Sequence, residues 1–263
     1  MRKKGRAVKL TQGRRLKRGW MPLKVTKVIH ENHDTRTLIM VNEEEGCRAF
    51  DYIAGQYLTF RFDELAPKPI VRSYTMSSSP CQEDYIAVTV KEVEDGFISK
   101  HLCNEVKEGD VLKARGPIGR FCYDEEKDHK NLTMVAAGSG VTPFISIMRE
   151  YAPLLGKENA PEKMLLLVSF RSTNDLICWD DIESLRKYPN IEVVTTLSRE
   201  DRRDSGFLYG RIDKDMLARV VGSQCQETTF MTCGPDVMMN MTVDYVLANG
   251  VQPEHMKKES FAS

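Results

Sequence analysis

The chain has no Cys-x-x-Cys pair. Its seven cysteines, Cys47, Cys81, Cys103, Cys122, Cys178, Cys225 and Cys233, come no closer together than eight residues. Plant-type iron–sulfur spacing and zinc-ribbon spacing are therefore both missing. Free thiols in a reducing cytosol are the plain reading, with no metal site and no cluster of the chain's own. Long apolar runs are missing too. The longest unbroken aliphatic stretch is Met164 to Val168, far short of a membrane span. No apolar stretch follows the basic N-terminus, as a secretory leader would require. These absences predict a cytoplasmic protein without a transmembrane segment. Net charge is also absent, because 38 Lys and Arg balance 38 Asp and Glu. That argues against nucleic acid as a partner. No internal repeat or low-complexity segment stands out.

What the 263 residues do have is a 41% apolar and 29% charged composition, which suits a packed chain of two ordinary domains. The neutral total hides an asymmetry. Residues 1–24 hold ten Lys or Arg and no acid, leaving 28 basic against 38 acidic residues in the remainder. We read residues 1–20 as a basic arm without fixed structure. It can dock on an acidic partner protein, an anionic membrane or nucleic acid; the plainer alternatives are an extension with no role, or synthesis starting at Met21.

From Lys24 to Tyr123 the pattern is short and strand-like. Leu23 to Val28 and Asp84 to Val90 alternate at period two, and Gly and Pro punctuate the segments between. This predicts a β-barrel or sandwich over 21–124. The purely polar run 125–131 reads as a linker. Beyond it, apolar strands at Leu132–Ala137, Met164–Phe170, Ile191–Leu197 and Thr228–Thr232 alternate with helical segments near 143–152, 175–187, 213–221 and 235–249. Residues 132–263 thus read as a parallel sheet with helices on both faces. Gly250 suits the position just past the last helix.

Ligands bind outside the carboxyl ends of the strands in such a sheet. Gly138-Ser139-Gly140-Val141-Thr142-Pro143 follows the first of these strands. Its glycines admit a close ligand, Thr142 can cap the next helix, and Pro143 suits the first turn. Arg171 follows the second strand, Ser198 and Arg199 the third, and Cys233-Gly234-Pro235 the fourth. Singly, these can be a bare turn, solvated charges and a small core residue. Together on one edge they fit a dinucleotide with several phosphates. In the first half, Arg72-Ser73-Tyr74-Thr75 puts a cation, an aromatic face and hydroxyls within four residues. On a strand, Arg72 and Tyr74 face one side and Ser73 and Thr75 the other. That set suits a planar heteroaromatic ligand with phosphates, or else an edge strand leading to a polar loop. His30 and His33 read as a solvated strand end rather than a metal site.

These motifs together resemble the ferredoxin–NADP reductase superfamily, in family order over residues 21–261. Arg72 to Thr75 is similar to the Arg-x-Tyr-Ser/Thr flavin motif, and Gly55-Gln56-Tyr57 to the Gly-Gln-Tyr before it. Val90-Lys91 with Gly96-Phe97-Ile98-Ser99 resembles the segment around the flavin's ribityl chain and pyrophosphate. Gly116-Pro117-Ile118-Gly119-Arg120-Phe121 resembles the Gly-Pro-x-Gly-x-Phe that closes the barrel. Gly138 to Pro143, including Gly140, is similar to the nicotinamide-nucleotide loop. Cys233-Gly234-Pro235 is similar to the turn beside the nicotinamide, and Glu259-Ser260-Phe261 to the C-terminal Glu-x-aromatic.

The resemblance implies an antiparallel Greek-key FAD barrel followed by a doubly wound NAD(P) domain. It implies a hydride passed from NADPH or NADH to FAD, then single electrons passed to a separate acceptor. That acceptor is expected to be a ferredoxin-like iron–sulfur protein. Tyr74 would stack on the isoalloxazine, Thr75 would hydrogen-bond near N5, and Arg72 and Ser99 would hold the FAD pyrophosphate. Ser139, Thr142 and Cys233 would shape the nicotinamide site, and Phe261 would cover the opposite ring face until nicotinamide enters. The nearest likeness is the oxygenase-reductase and hybrid-cluster-protein reductase branch. Many members of that branch continue into a ferredoxin domain, so the one-electron carrier is expected to be separate, or the chain to be a shortened version. Ser198-Arg199 resembles a pair that grips the 2′-phosphate of NADP, with Arg202 and Arg203 close by. Glu200, Asp201 and Asp204 among them can instead suit a ribose hydroxyl, and the balance leans to NADPH. A monomer is expected. The alternative reading is a flavin-bound electron-transfer or redox-sensing subunit without independent turnover.

Overall fold

A computed structural model describes residues 19–200, 206–222 and 225–261. The basic arm, up to residue 18, and Asp201, Arg202, Arg203 and Asp204 lie outside the described residues. The first half holds strands β1 (Met21–His30), β2 (Thr35–Asn42), β3 (Tyr57–Phe62), β4 (Ile70–Thr75), β5 (Ile86–Lys91) and β6 (Val111–Ile118). They form one antiparallel sheet in the order β4-β3-β6-β1-β2-β5. Just beyond β4, Met76 bridges Val88 of β5. That contact brings the two edge strands together and closes the sheet into the expected barrel. Period-two alternation puts Leu23, Val25, Leu38, Met40, Leu58 and Phe60 inside it, all almost fully buried. Helix α1 (Phe97–Asn104) covers one end with Ile98 and Leu102.

The second half holds β7 (Asn131–Ala137), α2 (Thr142–Tyr151), β8 (Lys163–Phe170), α3 (Trp179–Leu185), β9 (Ile191–Leu197), β10 (Leu208–Tyr209), α4 (Lys214–Val221), β11 (Thr228–Cys233), α5 (Asp236–Ala248) and β12 (Met256–Glu259). The sheet is parallel, in the order β10-β9-β8-β7-β11-β12. Its strands read as continuous apolar runs because both faces are covered. Leu132, Met134, Leu166 and Val168 pack with α2 and α3. Val135 and Leu167 point the other way, onto α4 and α5. Gly250, at φ +88°, follows the C-cap residue Asn249.

Between the halves, the polar segment after Tyr123 is tied down by its own charges. The Asp128 carboxylate is buried and ion-paired with Lys257 of β12, whose ammonium also donates to the Cys122 carbonyl at 2.8 Å. A carboxylate almost fully removed from water depends on that partner. Lys257→Met is expected to lower unfolding free energy by about 3–5 kcal/mol, the cost of a stranded buried charge. Asp128→Asn with Lys257→Met should recover most of the loss. Urea unfolding of the two variants reads this out, and equal losses in both would reject the pairing as the cause.

Candidate functional site

Two separate sheets meet here, so the site depends on how they are clasped. The chain leaving β4 runs along α2. Arg149 Nη1 donates to Ser77 O at 2.9 Å, Ser146 Oγ to Ser78 O at 2.6 Å, and Ser79 Oγ to Glu150 Oε2 at 2.8 Å. Arg149 also holds Asp181. A second chain of bonds crosses the seam beside it. Thr89 Oγ1 donates to Ser77 Oγ at 2.9 Å and lies 2.7 Å from Thr37 Oγ1. Thr37 donates to Glu31 Oε1 at 2.6 Å, and Glu31 Oε2 accepts the Cys178 amide at 2.9 Å. Cys178 takes a left-handed φ of 52°, the cost of turning that amide towards the barrel. The strand bearing Arg72 to Thr75 is thereby fixed to the helix that rises from Gly138 to Val141.

At the barrel edge, β4 has both faces open over three residues, and Val71, Arg72 and Ser73 are all exposed. Ser73 Oγ lies 3.0 Å from Thr59 Oγ1, and Arg72 Nη1 donates to the Val71 carbonyl at 2.8 Å. The half-buried Tyr74 meets Phe60 edge-on, with centroids 6.0 Å apart. Burial holds its hydroxyl protonated, with the Cys103 thiol of α1 nearby. Thr75 is buried where β4 ends.

The start of α1 lies beside β5. Gly96 is its N-cap and no side chain caps its amides. Ser99 Oγ accepts from Val93 N and donates to Gly96 O, each at 3.1 Å. A Cβ on Gly96 would sit 2.3 Å from that hydroxyl. Val90 and Ile98 are core residues and Phe97 is exposed. The Lys91 ammonium is paired with Asp34, so its side chain braces the β1–β2 turn. An open edge strand with a cation, an aromatic ring and hydroxyls, set beside uncapped helix amides, matches the donor set that a flavin ring and its pyrophosphate need. FAD fits these residues.

The nucleotide side sits where the parallel sheet reverses its winding, between β7 and β11. Gly138 to Val141 forms a single 3-10 turn after β7, and α2 begins at Thr142 with Pro143 in its first turn. The expected Thr142 cap is not formed. The N-cap is Val141, and Thr142 Oγ1 donates to the Ser139 carbonyl at 2.9 Å, because Thr142 is already helical. Gly140 lies directly on the turn after β11. A Cβ there would come within 2.2 Å of the Cys233 carbonyl oxygen and 2.9 Å of the Gly234 amide nitrogen. Gly138, at φ +55°, faces open space instead.

Cys233 is fully buried, and its thiol is pushed far up by desolvation and by the nearby Glu259. It is a small neutral wall rather than a nucleophile. Parallel pairing sets Cys233 opposite Glu259, whose carboxyl is raised by burial. Pro235 is the N-cap of α5, and Ser260 Oγ donates to Asp236 of that helix at 3.4 Å. Phe261 is 45% exposed. The Ser198 hydroxyl donates to the Phe170 carbonyl at 3.1 Å, so it closes a strand end. Arg171 and Arg199 line a cavity of about 900 Å³ together with Trp179 and Glu31 to His33 of the β1–β2 turn. Among the described residues the one grouping with metal-ligand types is His33, Asp34 and Asp175, and Asp34 is already neutralised by Lys91.

The sequence reading marked Arg72 to Pro80 as one segment but assigned no partner to Ser77, Ser78 or Ser79, and no role to Glu31 or Cys178. A serine run before proline looks like any polar loop, and nothing local marks which helix it will meet. It also passed over β12, because Met-Lys-Lys-Glu has no strand-like alternation. β12 forms as the sheet's edge, anchored by Lys257.

The Oxidoreductase FAD-binding domain family matches residues 22–123, and the Oxidoreductase NAD-binding domain family matches 134–244. The chain is 32% identical over 229 residues to NADH oxidoreductase HCR of Escherichia coli K12, covering 87% of this chain and 65% of that protein. It is 30% identical to the ferredoxin reductase component of 3-ketosteroid-9-alpha-monooxygenase from Rhodococcus rhodochrous, covering 92% of this chain and 65% of that one. The chain thus spans about two-thirds of the length of these relatives, or slightly less. Among solved structures, the FAD/NAD-binding domain of a Vibrio cholerae nitric oxide dioxygenase superposes with a TM-score of 0.80 at 23% identity, covering 92% and 99% of the two chains. A ferredoxin NADP+ reductase from Neisseria gonorrhoeae with bound FAD and NADP gives 0.77 at 21%, with the same coverage. Among the described residues no helix is long and apolar enough to cross a membrane. With both domain families matched in order, and FAD and NAD(P)H as its cofactors, the chain belongs to the ferredoxin–NADP reductase superfamily.

Proposed function

We propose that this chain is a reductase that draws a hydride from NAD(P)H and passes single electrons to a separate acceptor protein of the ferredoxin iron–sulfur type. On this reading it works as a monomer in the cytoplasm. The observation that carries the reading is the junction of the two sites. Thr75 ends the strand whose continuation is bonded along α2, and α2 rises from the loop that touches Cys233 and Gly234. One rigid path links the flavin strand to the nicotinamide turn. Relatives described as a ferredoxin reductase component and a glycine betaine monooxygenase reductase subunit support an external acceptor.

Bound FAD supplies the change from two-electron to one-electron chemistry. The chain's residues supply position. Tyr74 offers its face to the ring and Thr75 a hydroxyl near the reacting edge. Arg72 and the amides at the start of α1 take the FAD pyrophosphate. Ser99 acts one step back, keeping the turn at Gly96 closed. Gly138 to Pro143 receives the pyrophosphate of the incoming nucleotide, and Ser139 and Thr142 shape its entry with Cys233. Burial raises the Glu259 carboxyl above the usual carboxylate range where it sits opposite Cys233. Phe261 closes the ring face that nicotinamide takes. Reacting atoms need an approach of roughly 3–3.5 Å, which a buried neutral Cys233 permits.

Anaerobic addition of NADPH or NADH to the FAD-loaded protein should bleach its visible absorbance within seconds, and a reduced ferredoxin should appear when one is added. Bound flavin that neither nucleotide reduces would remove the reductase reading. Gly140→Ala should keep FAD but slow this bleaching at least tenfold, because the new methyl group pushes the nucleotide loop off the Cys233 carbonyl. Wild-type bleaching rates in that variant would mean the contact has no part in the reaction.

A further inference from the structure

At the far end of α2, roughly 15 Å from the nucleotide loop at its start, the seam between the halves opens into a second cavity of about 910 Å³. Its walls come from the barrel, the segment 120–128, the end of α2 and the turn before β12. Its charge is one-sided. Arg48 is paired with Asp51, Lys127 with Asp124 and Lys257 with Asp128. Arg120 then stands alone against Glu83, Glu125, Glu126, Glu150 and Glu254. Tyrosine rings lie among these acids. Tyr123 and Tyr151 meet edge-on with centroids 5.2 Å apart, and Arg48 already lies over the Tyr52 ring, 6.0 Å from its centroid.

The Tyr123 hydroxyl points to what this cavity lacks. The residue is 4% exposed, and its oxygen is buried without a hydrogen-bond partner. Burial and the carboxylates of Asp128, Glu125 and Asp124 push it up to about 12, so the oxygen lies on the acidic side. A stranded buried hydroxyl is costly. An N–H donor carrying positive charge would satisfy it and the acids together. The carboxylates do not converge as metal ligands do, because among the described residues that grouping is found at His33, Asp34 and Asp175. Charges spread over several walls suit an extended ligand with separated cationic groups, and aromatic faces suit alkylammonium ends.

We propose that this cavity binds an extended organic polycation, a chain of alkylammonium groups. Tyr123 Oη accepts one N–H, and Glu125, Glu126 and Glu254 neutralise the charge. Such a chain can arrive as a free polyamine or as the lysines of residues 1–18, which hold nine Lys and Arg. The site lies outside the hydride path, and the proposal stands whichever nucleotide the protein uses.

Calorimetric titration of spermidine at low salt tests it. The titrations use the full FAD-loaded chain and the same chain with all nine Lys and Arg of residues 1–18 replaced by Gln. Spermidine should bind, and Tyr123→Phe, which keeps the ring, should weaken it about tenfold. Glu125→Gln with Glu126→Gln should weaken it as well and flatten its salt dependence. Neither variant should change the rate at which NADPH or NADH bleaches the flavin, which shows the fold intact. Tighter binding once the arm is neutral assigns the site to the arm, and equal binding by the two chains assigns it to a free amine. Absence of binding by both chains would overturn the proposal. Binding that the Tyr123 and Glu125 variants leave untouched would overturn it too, because spermidine would then be held by the surface at large.

Discussion

Everything at this centre depends on the bonds between the strand extension 76–79 and helix α2. The barrel and the doubly wound sheet meet through Phe121 and Tyr123, whose rings pack on Phe144 and Tyr151 of α2. Each buries its own core, around Leu58 and Phe60 in one and around Met134 and Leu166 in the other. Transfer between two stacked rings tolerates displacements of only a fraction of an ångström. The clasp that meets this demand is polar. It uses two serine carbonyls, one guanidinium and one carboxylate. Polar bonds fix direction as well as distance, which apolar packing across a seam does less well.

The second cross-seam chain, Ser77–Thr89–Thr37–Glu31–Cys178, adds a constraint of another kind. Its hydroxyls are buried, so removing one member leaves a neighbour unsatisfied away from water. It also ties the barrel's first turn to the entry of α3. The cavity at the ends of β8 and β9 therefore has walls from both domains. A nucleotide bound there would feel the docking of the halves, not only the sheet that carries its phosphates.

Much of this was legible in the residues. Alternation at period two marked β1 and β5, and continuous apolar runs marked β7, β8, β9 and β11, because burial on one face or two leaves those patterns directly. The turns around Gly138 and Gly234 were legible as a pair, because fold topology places the ends of β7 and β11 side by side. The Gly140 contact gives a physical reason for one glycine in that pattern. What stayed illegible was long-range and polar. Asp128 sits in a run that reads as solvated linker, yet its carboxylate is buried, and only Lys257, 129 residues later, explains it. Thr142 invited a capping role by its place before Pro143, but the preceding turn runs straight into the helix and moves the cap back one residue. Glu200 looked like a ribose reader by its position in the chain, and its partner Thr173 lies on another strand's turn.

The edge strand β12 has a further consequence. It is the outermost strand of a parallel sheet and leaves one side of its backbone unpaired. An open edge of this kind invites a strand from another molecule, which is a common start of aggregation. Here the strand is only four residues long and reads Met-Lys-Lys-Glu, three charges in a row. Any chain adding at that edge would have to desolvate Lys258 and crowd Lys257 away from Asp128. The lysine that neutralises a buried carboxylate thus also stands guard on the sheet's open edge.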